Sequence, residues 1–267
     1  MSALPAPAPL LAANDAGGQG RVQPIAPRVA ESIWRGTELE HRTTAVQPTG
    51  WSELDAELPG GGWPQQSVVE ILSAQPAVLE WRLLSPALRS IVQGGGQIVV
   101  VGPPRHPHLP GLQHLGLSER QFVWIQADQP AERLWTTEQL IKSRAAGAVI
   151  AWLPKARADQ IRRLQVCAQG CDGLAILCRP EAARHESSAA PLRVHASAGL
   201  DWNLHVQIVK RRGPPHEAPL TLASVPGGLA AVLTPRQRRL TRPVAPEVSQ
   251  RVVGSLADPV RAQHAAA

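Results

Sequence analysis

Short apolar segments alternate with amphipathic ones through the middle of this chain. The apolar segments are 68–72, 98–101, 122–125, 148–153 and 174–178. Between them, apolar residues recur at helical spacing, as at Leu79, Leu83, Leu88 and Val92. Continuous apolar strands separated by amphipathic helices are typical of a largely parallel sheet that helices cover on both faces. We therefore predict an α/β fold with a mostly parallel central sheet.

The last apolar segment has a different pattern. Trp202, Leu204, Val206 and Ile208 alternate with polar residues. This alternation predicts a strand with one buried face and one solvated face, as in an edge or antiparallel strand.

The two ends of the chain differ in composition from the middle. Residues 1–30 are rich in Pro, Ala and Gly without periodicity, and 234–267 are rich in Pro and Arg. Such segments cannot bury enough apolar surface to fold alone. We predict a flexible N-terminal arm (1–30), an α/β domain (31–233) and a basic, mostly disordered C-terminal tail (234–267).

Charge and cysteine content restrict the setting of the protein. The formal net charge of +6 favours a nucleic acid or an acidic partner, although Arg-rich composition alone explains it equally well. No apolar run approaches the roughly 20 residues of a membrane span, and Met1–Gly20 lacks the pattern of a secretory signal. Cys167, Cys171 and Cys178 suggest buried thiols more than a disulfide framework or a metal site. We expect a cytoplasmic, nucleoid-associated protein without a membrane partner.

The segment 46–72, VQPTGWSELDAELPGGGWPQQSVVEIL, carries the most specific pattern in the chain. Gly60-Gly61-Gly62 permits a tight turn, Pro64 fixes φ before the strand, and Asp55 is placed to bond backbone amides of the turn. The segment resembles the lead-in to the nucleotide site of the RecA/RadA recombinase family. The resemblance continues weakly to about Leu222 and implies a RecA-like, P-loop NTPase-type fold.

The chain departs from that family where nucleotide chemistry is required. A phosphate-cradling loop needs Gly for close approach, Lys for the phosphate charge and a hydroxyl for Mg²⁺. The corresponding loop, 73–80, reads SAQPAVLE, so Leu79 replaces the Lys and Glu80 replaces the hydroxyl. The two carboxylates expected after the following strands are also missing, at Gly102-Pro103-Pro104 and at Ile150–Leu153. We therefore predict a degenerate nucleotide site, no enzymatic activity, no cofactor and no bound metal.

Further motifs are similar to the ImuA family of RecA-like accessory proteins. They are Trp34-Arg35-Gly36, Pro48-Thr49-Gly50-Trp51 through Trp63-Pro64, the 83–88 sequence LLSPAL, and Lys210-Arg211-Arg212-Gly213. The resemblance implies a non-catalytic role in SOS-induced translesion DNA synthesis and damage-induced mutagenesis. It also implies RecA and an ImuB-like inactive Y-family polymerase as partners, with an error-prone polymerase complex reached indirectly and DNA as a further candidate.

Lys210 and Arg212 are the first candidate interface residues. By resemblance they match basic residues of a late RecA strand that reach the nucleotide of the neighbouring subunit, which predicts a contact with RecA. Arg211 would point to the other side of the strand. The alternative is a solvated basic strand end.

Two further groups of basic residues are candidates for DNA or partner contacts. The segment Arg179–Ala190 occupies the place of a RecA DNA-binding loop, and its Arg179 and Arg184 are candidates for phosphate contacts. The densest cluster lies in the tail and consists of Arg236, Arg238, Arg239 and Arg242. Such a cluster attracts DNA with strong salt dependence, or docks on a partner. An ordinary surface loop and a solvated tail are the alternatives.

Three other functions remain open at this stage. Some ImuA-like proteins are labelled as similar to the SulA cell-division inhibitor, so an SOS-induced division inhibitor is one rival. A plain DNA-binding RecA-like module is the second, and an ATPase with unusual ligands is the third. His106 and His108 lie in a Pro-rich loop with no carboxylate nearby, and we expect no metal there.

Overall fold

Every apolar segment identified in the sequence forms a strand of one central sheet. The computed structural model describes residues 45–199, 202–225 and 229–234. The chain divides into two units, 1–43 and 44–267, and all described residues belong to the second. The predicted N-terminal arm (1–30) and nearly all of the predicted tail (234–267) lie outside the described residues.

Ten strands and six helices are present in the described part of the chain. The strands are β1 (Val46–Gln47), β2 (Trp63–Pro64), β3 (Val68–Ser73), β4 (Ile98–Val101), β5 (Phe122–Ile125), β6 (Ala148–Trp152), β7 (Leu174–Pro180), β8 (Leu192–Ala198), β9 (Leu204–Lys210) and β10 (Leu220–Leu222). The helices are α1 (Ser52–Glu57), α2 (Leu79–Gln93), α3 (Leu109–His114), α4 (Pro130–Ser143), α5 (Ala158–Ala168) and α6 (Leu229–Val232). Short 3₁₀ turns occupy Glu119–Gln121 and Glu181–His185.

The central sheet has eight strands in the order β10-β9-β8-β3-β7-β6-β4-β5. The six strands from β8 to β5 are parallel to one another, and β9 is antiparallel to both of its neighbours. The prediction of a mostly parallel sheet with helices on both faces is therefore confirmed. The alternating strand is antiparallel as predicted, but it lies inside the sheet because β10 covers its outer edge. This arrangement is compatible with a RecA-like fold.

The two faces of the sheet are covered by different helices. On one face, α2 packs Leu83, Leu84 and Leu88 against the sheet, together with Leu54 of α1. On the other face, α5 contributes Ile161 and Leu164 to a second apolar cluster. The strand residues alternate between the two faces, which is why β6 and residues 174–178 of β7 are continuous apolar runs and why β3 is apolar except at Glu70 and Ser73.

The Pro48–Trp51 segment is held against a proline inside α2. Pro86 has no N–H, so carbonyl groups in the preceding turn of the helix need other donors. The Trp51 indole N–H donates to the Leu83 carbonyl at 2.9 Å, and the Ser85 hydroxyl donates to the Arg82 carbonyl at 3.3 Å. A Cβ on Gly50 would lie 2.4 Å from the Pro86 side chain, so this close approach requires glycine.

The turn that enters the sheet also forms as predicted. The Asp55 carboxylate accepts a hydrogen bond from the Thr49 backbone N–H at 2.9 Å. Gly60 and Gly61 adopt φ values of 83° and 79°, which an ordinary side chain disfavours. The turn thereby pairs β2 with β1 and delivers the chain to β3.

Candidate functional site

The loop between β3 and α2 lies at the carboxyl edge of the sheet, where open α/β sheets bind their ligands. Its backbone is bonded within itself. The Gln75 N–H donates to Ser73 Oγ at 3.0 Å, and the Val78 and Leu79 N–H groups donate to the Gln75 carbonyl at 3.2 and 3.4 Å. Ala77 adopts a φ of 61°, in the left-handed region. These N–H groups are therefore not available to bind a phosphate in this arrangement.

Leu79 and Glu80, which by the RecA resemblance take the places of a phosphate-binding Lys and a metal-binding hydroxyl, are buried. Each is only 1% exposed. Leu79 joins the apolar cluster beneath α2. The Glu80 side chain is therefore enclosed and does not face solvent, although its position at the start of a helix is one at which acidic residues are usually exposed.

The Glu80 carboxylate is buried without a cation. Neither of its oxygens has a hydrogen bond of standard geometry to the described residues. Burial raises the pKa of Glu80, and the backbone N–H groups of residues 77, 78 and 80 together with the Trp152 indole oppose this rise without cancelling it. An unpaired buried carboxylate favours its neutral, protonated form because desolvation penalises the charge.

Aromatic rings fill the space beside Glu80. The Trp81 ring centroid lies 5.7 Å from that of Trp152 and 6.0 Å from that of Phe122. Trp152 is the last residue of β6, near which the RecA resemblance would predict a carboxylate, and it is 3% exposed. Tilted rings at these separations attract one another in addition to the surface that they bury. This edge of the sheet is consequently packed with apolar side chains.

Cys178 of β7 completes this cluster. It is paired with Trp152 in the register of β6 and β7, and it is fully buried. Burial raises the pKa of the Cys178 thiol well above its usual range, and the nearby Glu80 contributes in the same direction. A protonated thiol is a poor nucleophile. Of the other two cysteines, Cys171 is buried and Cys167 is partly exposed, and all three are free thiols.

The basic end of β9 lies at the opposite, amino edge of the parallel strands. Lys210 is exposed and its Nζ donates to the Ser188 carbonyl at 2.8 Å. Arg211 donates to the Glu57 carbonyl and lies 3.5 Å from the Glu57 carboxylate, while its Nε donates to the Pro214 carbonyl at 2.7 Å. Arg212 is exposed and pairs with none of the described residues. The structure thus places Lys210 and Arg212 at one exposed end, with Arg211 turned toward α1.

Arg179 requires a correction. The sequence placed it in a loop as a candidate for phosphate contacts, but it belongs to β7 and its side chain is 1% exposed. Its guanidinium lies 3.2 Å from the Glu70 carboxylate, 2.6 Å from the Glu186 carboxylate and 2.8 Å from the Ala156 carbonyl. Every one of these acceptors belongs to the protein, so Arg179 is not available to DNA in this structure.

Arg193 is the second cation of this cluster and was not identified from the sequence. Its guanidinium pairs with the other oxygen of Glu70 and donates to the Ala183 carbonyl at 2.6 Å and the Glu186 carbonyl at 3.0 Å. The signal was weak because β8, the strand that carries Arg193, reads LRVHASA and lacks a continuous apolar run. An acidic residue in the middle of the apolar strand β3 was the available hint, because a buried charge needs a partner.

The remaining candidates lie apart from one another. Arg184 is half-buried in the 181–185 turn and donates to the Gln207 side chain at 2.8 Å. Arg236, Arg238, Arg239 and Arg242 lie outside the described residues. His108 accepts from the Gly111 N–H at 3.2 Å at the start of α3, and His106 stacks edge-on against Trp124. Within the described residues, no group of His, Cys, Asp and Glu is arranged to hold a metal ion.

Comparison with known proteins gives no relative for this chain. No protein-family model matches the sequence, and no curated protein is significantly similar to it. The longest helix in the described part, α2, has 15 residues, and none of the described helices combines the length and hydrophobicity of a membrane span. Fold and site geometry are therefore the basis for a functional proposal.

Proposed function

We propose that this chain is a RecA-like protein with a degenerate nucleotide site, and that it acts as a non-catalytic accessory factor in SOS-induced translesion DNA synthesis and damage-induced mutagenesis. In this role it bridges RecA and an ImuB-type polymerase assembly. The resemblance of 46–72 and 210–213 to RecA-like accessory proteins supports the identity of the partners.

The observation that carries the proposal is the packed carboxyl edge of the sheet. Leu79 and Glu80 are buried where a phosphate-binding site needs an exposed Lys and hydroxyl. The loop amides are bonded internally, and Trp81 with Trp152 fills the adjacent space. A nucleotide would have to displace these rings and approach the Glu80 carboxyl, so a sheet of RecA type without nucleotide exchange is the best-supported interpretation.

A nucleotide-binding titration tests the first half of the proposal. The full chain is titrated with Mg²⁺ and a fluorescent ATP analogue, with a RecA protein as the positive control under the same conditions. We expect saturable binding by RecA and none by this chain. Saturable binding that is competed by unlabelled ATP would contradict the proposal.

The second half concerns the basic end of β9. Lys210 and Arg212 are exposed and are candidates to reach the nucleotide bound between this chain and RecA. The Lys210→Ala, Arg212→Ala double variant should lose at least tenfold in affinity for a RecA filament, because two charged contacts to phosphate are removed. The matched control is Arg120→Ala, Arg162→Ala, which removes the same charge from two other exposed arginines. Equal binding by both variants would retire this interface.

A genetic experiment separates the proposal from its main rival. Deletion of the gene should lower the frequency of damage-induced mutation while leaving cell length unchanged after damage. Filamentation that depends on the gene, together with normal damage-induced mutagenesis, would support a division inhibitor instead.

A further inference from the structure

A depression at the amino edge of the sheet has the composition of a small binding site. It is an open depression that lies where β3 and β8 begin and β9 ends, and its empty space of about 370 Å³ includes solvent-open volume. This edge is opposite to the β3–α2 loop, so the depression is separate from the packed cluster around Glu80.

The walls of the depression are apolar and rigid. Pro59, Pro64 and Pro191 line it, together with Leu192 of β8. Proline has a fixed φ, so these walls lose little conformational freedom when a ligand binds. Proline also has no N–H, so the three prolines cannot donate a hydrogen bond to the ligand. Such a surface suits an aliphatic side chain better than a polar one.

One polar atom in the depression lacks a partner. Ser67 is 3% exposed, and its hydroxyl has no hydrogen bond to the described residues. A buried hydroxyl without a partner is unusual, because most buried polar groups in native proteins are bonded. Ser67 lines the depression, and its hydroxyl, which solvent does not reach in this structure, has an unused donor and unused acceptor capacity.

The charge at the rim selects an anion. Arg211 and Arg212 both line the depression. Arg211 is engaged by Glu57 and by the Pro214 carbonyl, whereas Arg212 pairs with none of the described residues. A guanidinium without a carboxylate, beside an apolar slot, is complementary to a ligand that carries a carboxylate close to an aliphatic group.

We propose that this depression binds a short acidic segment of a partner polypeptide, with an aliphatic side chain in the proline-lined slot and the neighbouring carboxylate on Arg212. Phosphate of DNA is the less favoured anion, because it would leave the apolar walls unoccupied. The inference rests on the proposed function only in assigning this surface to a protein partner. It gives Arg212 a carboxylate ligand in place of the nucleotide phosphate of the proposed RecA contact, so competition with phosphate decides between the two assignments of Arg212.

A titration with small probes tests this site without any partner protein. The probe is N-acetyl-leucine, which joins one isobutyl group to one carboxylate, and the reference compound is N-acetyl-leucinamide, which lacks the charge. Binding to the full chain is followed by two-dimensional NMR at the backbone amides of Ser67, Leu192 and Arg212. We expect saturable shifts with N-acetyl-leucine and at least tenfold weaker binding of the amide.

Matched variants assign the interactions. Arg212→Gln should weaken the binding of N-acetyl-leucine at least tenfold, because it removes the cation that holds the carboxylate. Arg162→Gln removes an exposed arginine elsewhere and should have no effect. Arg212 has no described partner to lose, so the spectrum of Arg212→Gln should otherwise be unchanged.

Three results would overturn the proposal. Equal binding of the acid and the amide would show an apolar groove without anion recognition. Inorganic phosphate that competes as well as N-acetyl-leucine would show a phosphate site. If neither N-acetyl-leucine nor N-acetyl-leucinamide gives saturable shifts up to its solubility limit, the depression does not bind this class of ligand. Because RecA takes no part in this titration, its failure is distinguishable from failure of the RecA-binding experiment.

Discussion

Two buried glutamates, ten residues apart in sequence, sit in opposite electrostatic environments. Glu70 in β3 is fully buried between the guanidinium groups of Arg179 and Arg193. Glu80 at the start of α2 is equally enclosed, but no cation among the described residues pairs with it. The first carboxylate is stabilised as an anion within an ion-pair cluster, and the second is pushed toward its protonated form.

The difference shows that burial of a charged residue does not by itself mark a functional site. The Glu70 cluster connects β3, β7, β8 and the 181–186 segment through side chains and carbonyl groups, so its role is to fix structure. Glu80 has no such network and lies where a ligand site would be expected from the fold. The free energy of unfolding of single variants tests this difference between the paired Glu70 and the unpaired Glu80.

The largest effect is expected at Glu70. Glu70→Gln removes the anion and leaves two buried guanidinium groups uncompensated, so the free energy of unfolding should fall by about 3–5 kcal/mol. Urea unfolding of the full chain, followed by Trp fluorescence, measures the change. Glu217→Gln is the control, since Glu217 is exposed and pairs with none of the described residues. A fall in the unfolding free energy of less than 1 kcal/mol would mean that the Glu70 carboxylate does not stabilise the fold through the two arginines.

A smaller but still large effect should separate the two arginines that the sequence had grouped as phosphate contacts. Arg179→Met removes a guanidinium that contacts Glu70, Glu186 and Ala156, and should cost about 2–4 kcal/mol. Arg184→Met removes one hydrogen bond to Gln207 at a half-buried position and should cost about 1 kcal/mol or less. Equal losses in urea unfolding would contradict the burial difference between them.

The sequence was sufficient for most of the fold but not for this contrast. The apolar pattern located β3, β4, β6 and β7 because each is buried on both faces and is therefore mainly apolar. It missed β8, because Arg193 and His195 occupy positions on the face that carries the Glu70 cluster, and polar side chains there replace apolar burial. Pairing across 123 residues of sequence has no local signal.

The candidate site was also predictable only in part, because some of its features are local in sequence and others depend on the strand order. The sequence alone shows that the loop at 73–80 has Leu79 and Glu80 where a phosphate-binding loop would need a Lys and a hydroxyl. That Trp81, Trp152 and Phe122 would meet beside them depends on the strand order, which no single segment encodes. Ser67 and Arg212 come together for an equivalent reason, since β3 and β9 are brought to one edge only by the complete sheet.

A change of opposite sign is expected at Glu80. Its folded-state pKa is raised by desolvation, so the folded protein binds a proton more tightly than the unfolded chain. Stability should therefore fall as pH rises from the ordinary glutamate value of about 4.3 through the raised folded value, and recover as pH is lowered. Glu80→Gln removes this dependence and should raise the unfolding free energy at neutral pH by about 1 kcal/mol.

Unfolding curves between pH 4.5 and pH 8 check this prediction. Wild type should lose stability across part of this range relative to Glu80→Gln, and Glu217→Gln should follow wild type. A large destabilisation by Glu80→Gln with an unchanged pH dependence would indicate that the carboxylate is bonded as an anion.

The smallest effect concerns a third buried carboxylate, Glu138 of α4. It has cationic partners, as Glu70 does, but these partners are exposed to solvent. Its side chain is 3% exposed, but its partners Lys142 and Arg163 are 50% and 66% exposed. Hydrogen bonds from Lys142, and then from Arg163, lower the pKa of Glu138. The stability that it contributes is therefore present above the ordinary glutamate value and is lost as pH falls through the lowered folded value, which is the reverse of Glu80.

Arg163→Gln should cost about 0.5 kcal/mol at neutral pH, because Lys142 remains and an exposed cation is screened by solvent. The adjacent Arg162 is exposed and pairs with none of the described residues, so Arg162→Gln is a control with the same chemistry one position away. Urea unfolding at low and high salt distinguishes the two variants, since added salt should shrink the difference between them. The expected result is that an exposed cation stabilises a buried carboxylate less than a buried cation does. A loss of unfolding free energy in Arg163→Gln as large as that in Arg179→Met would contradict this expectation.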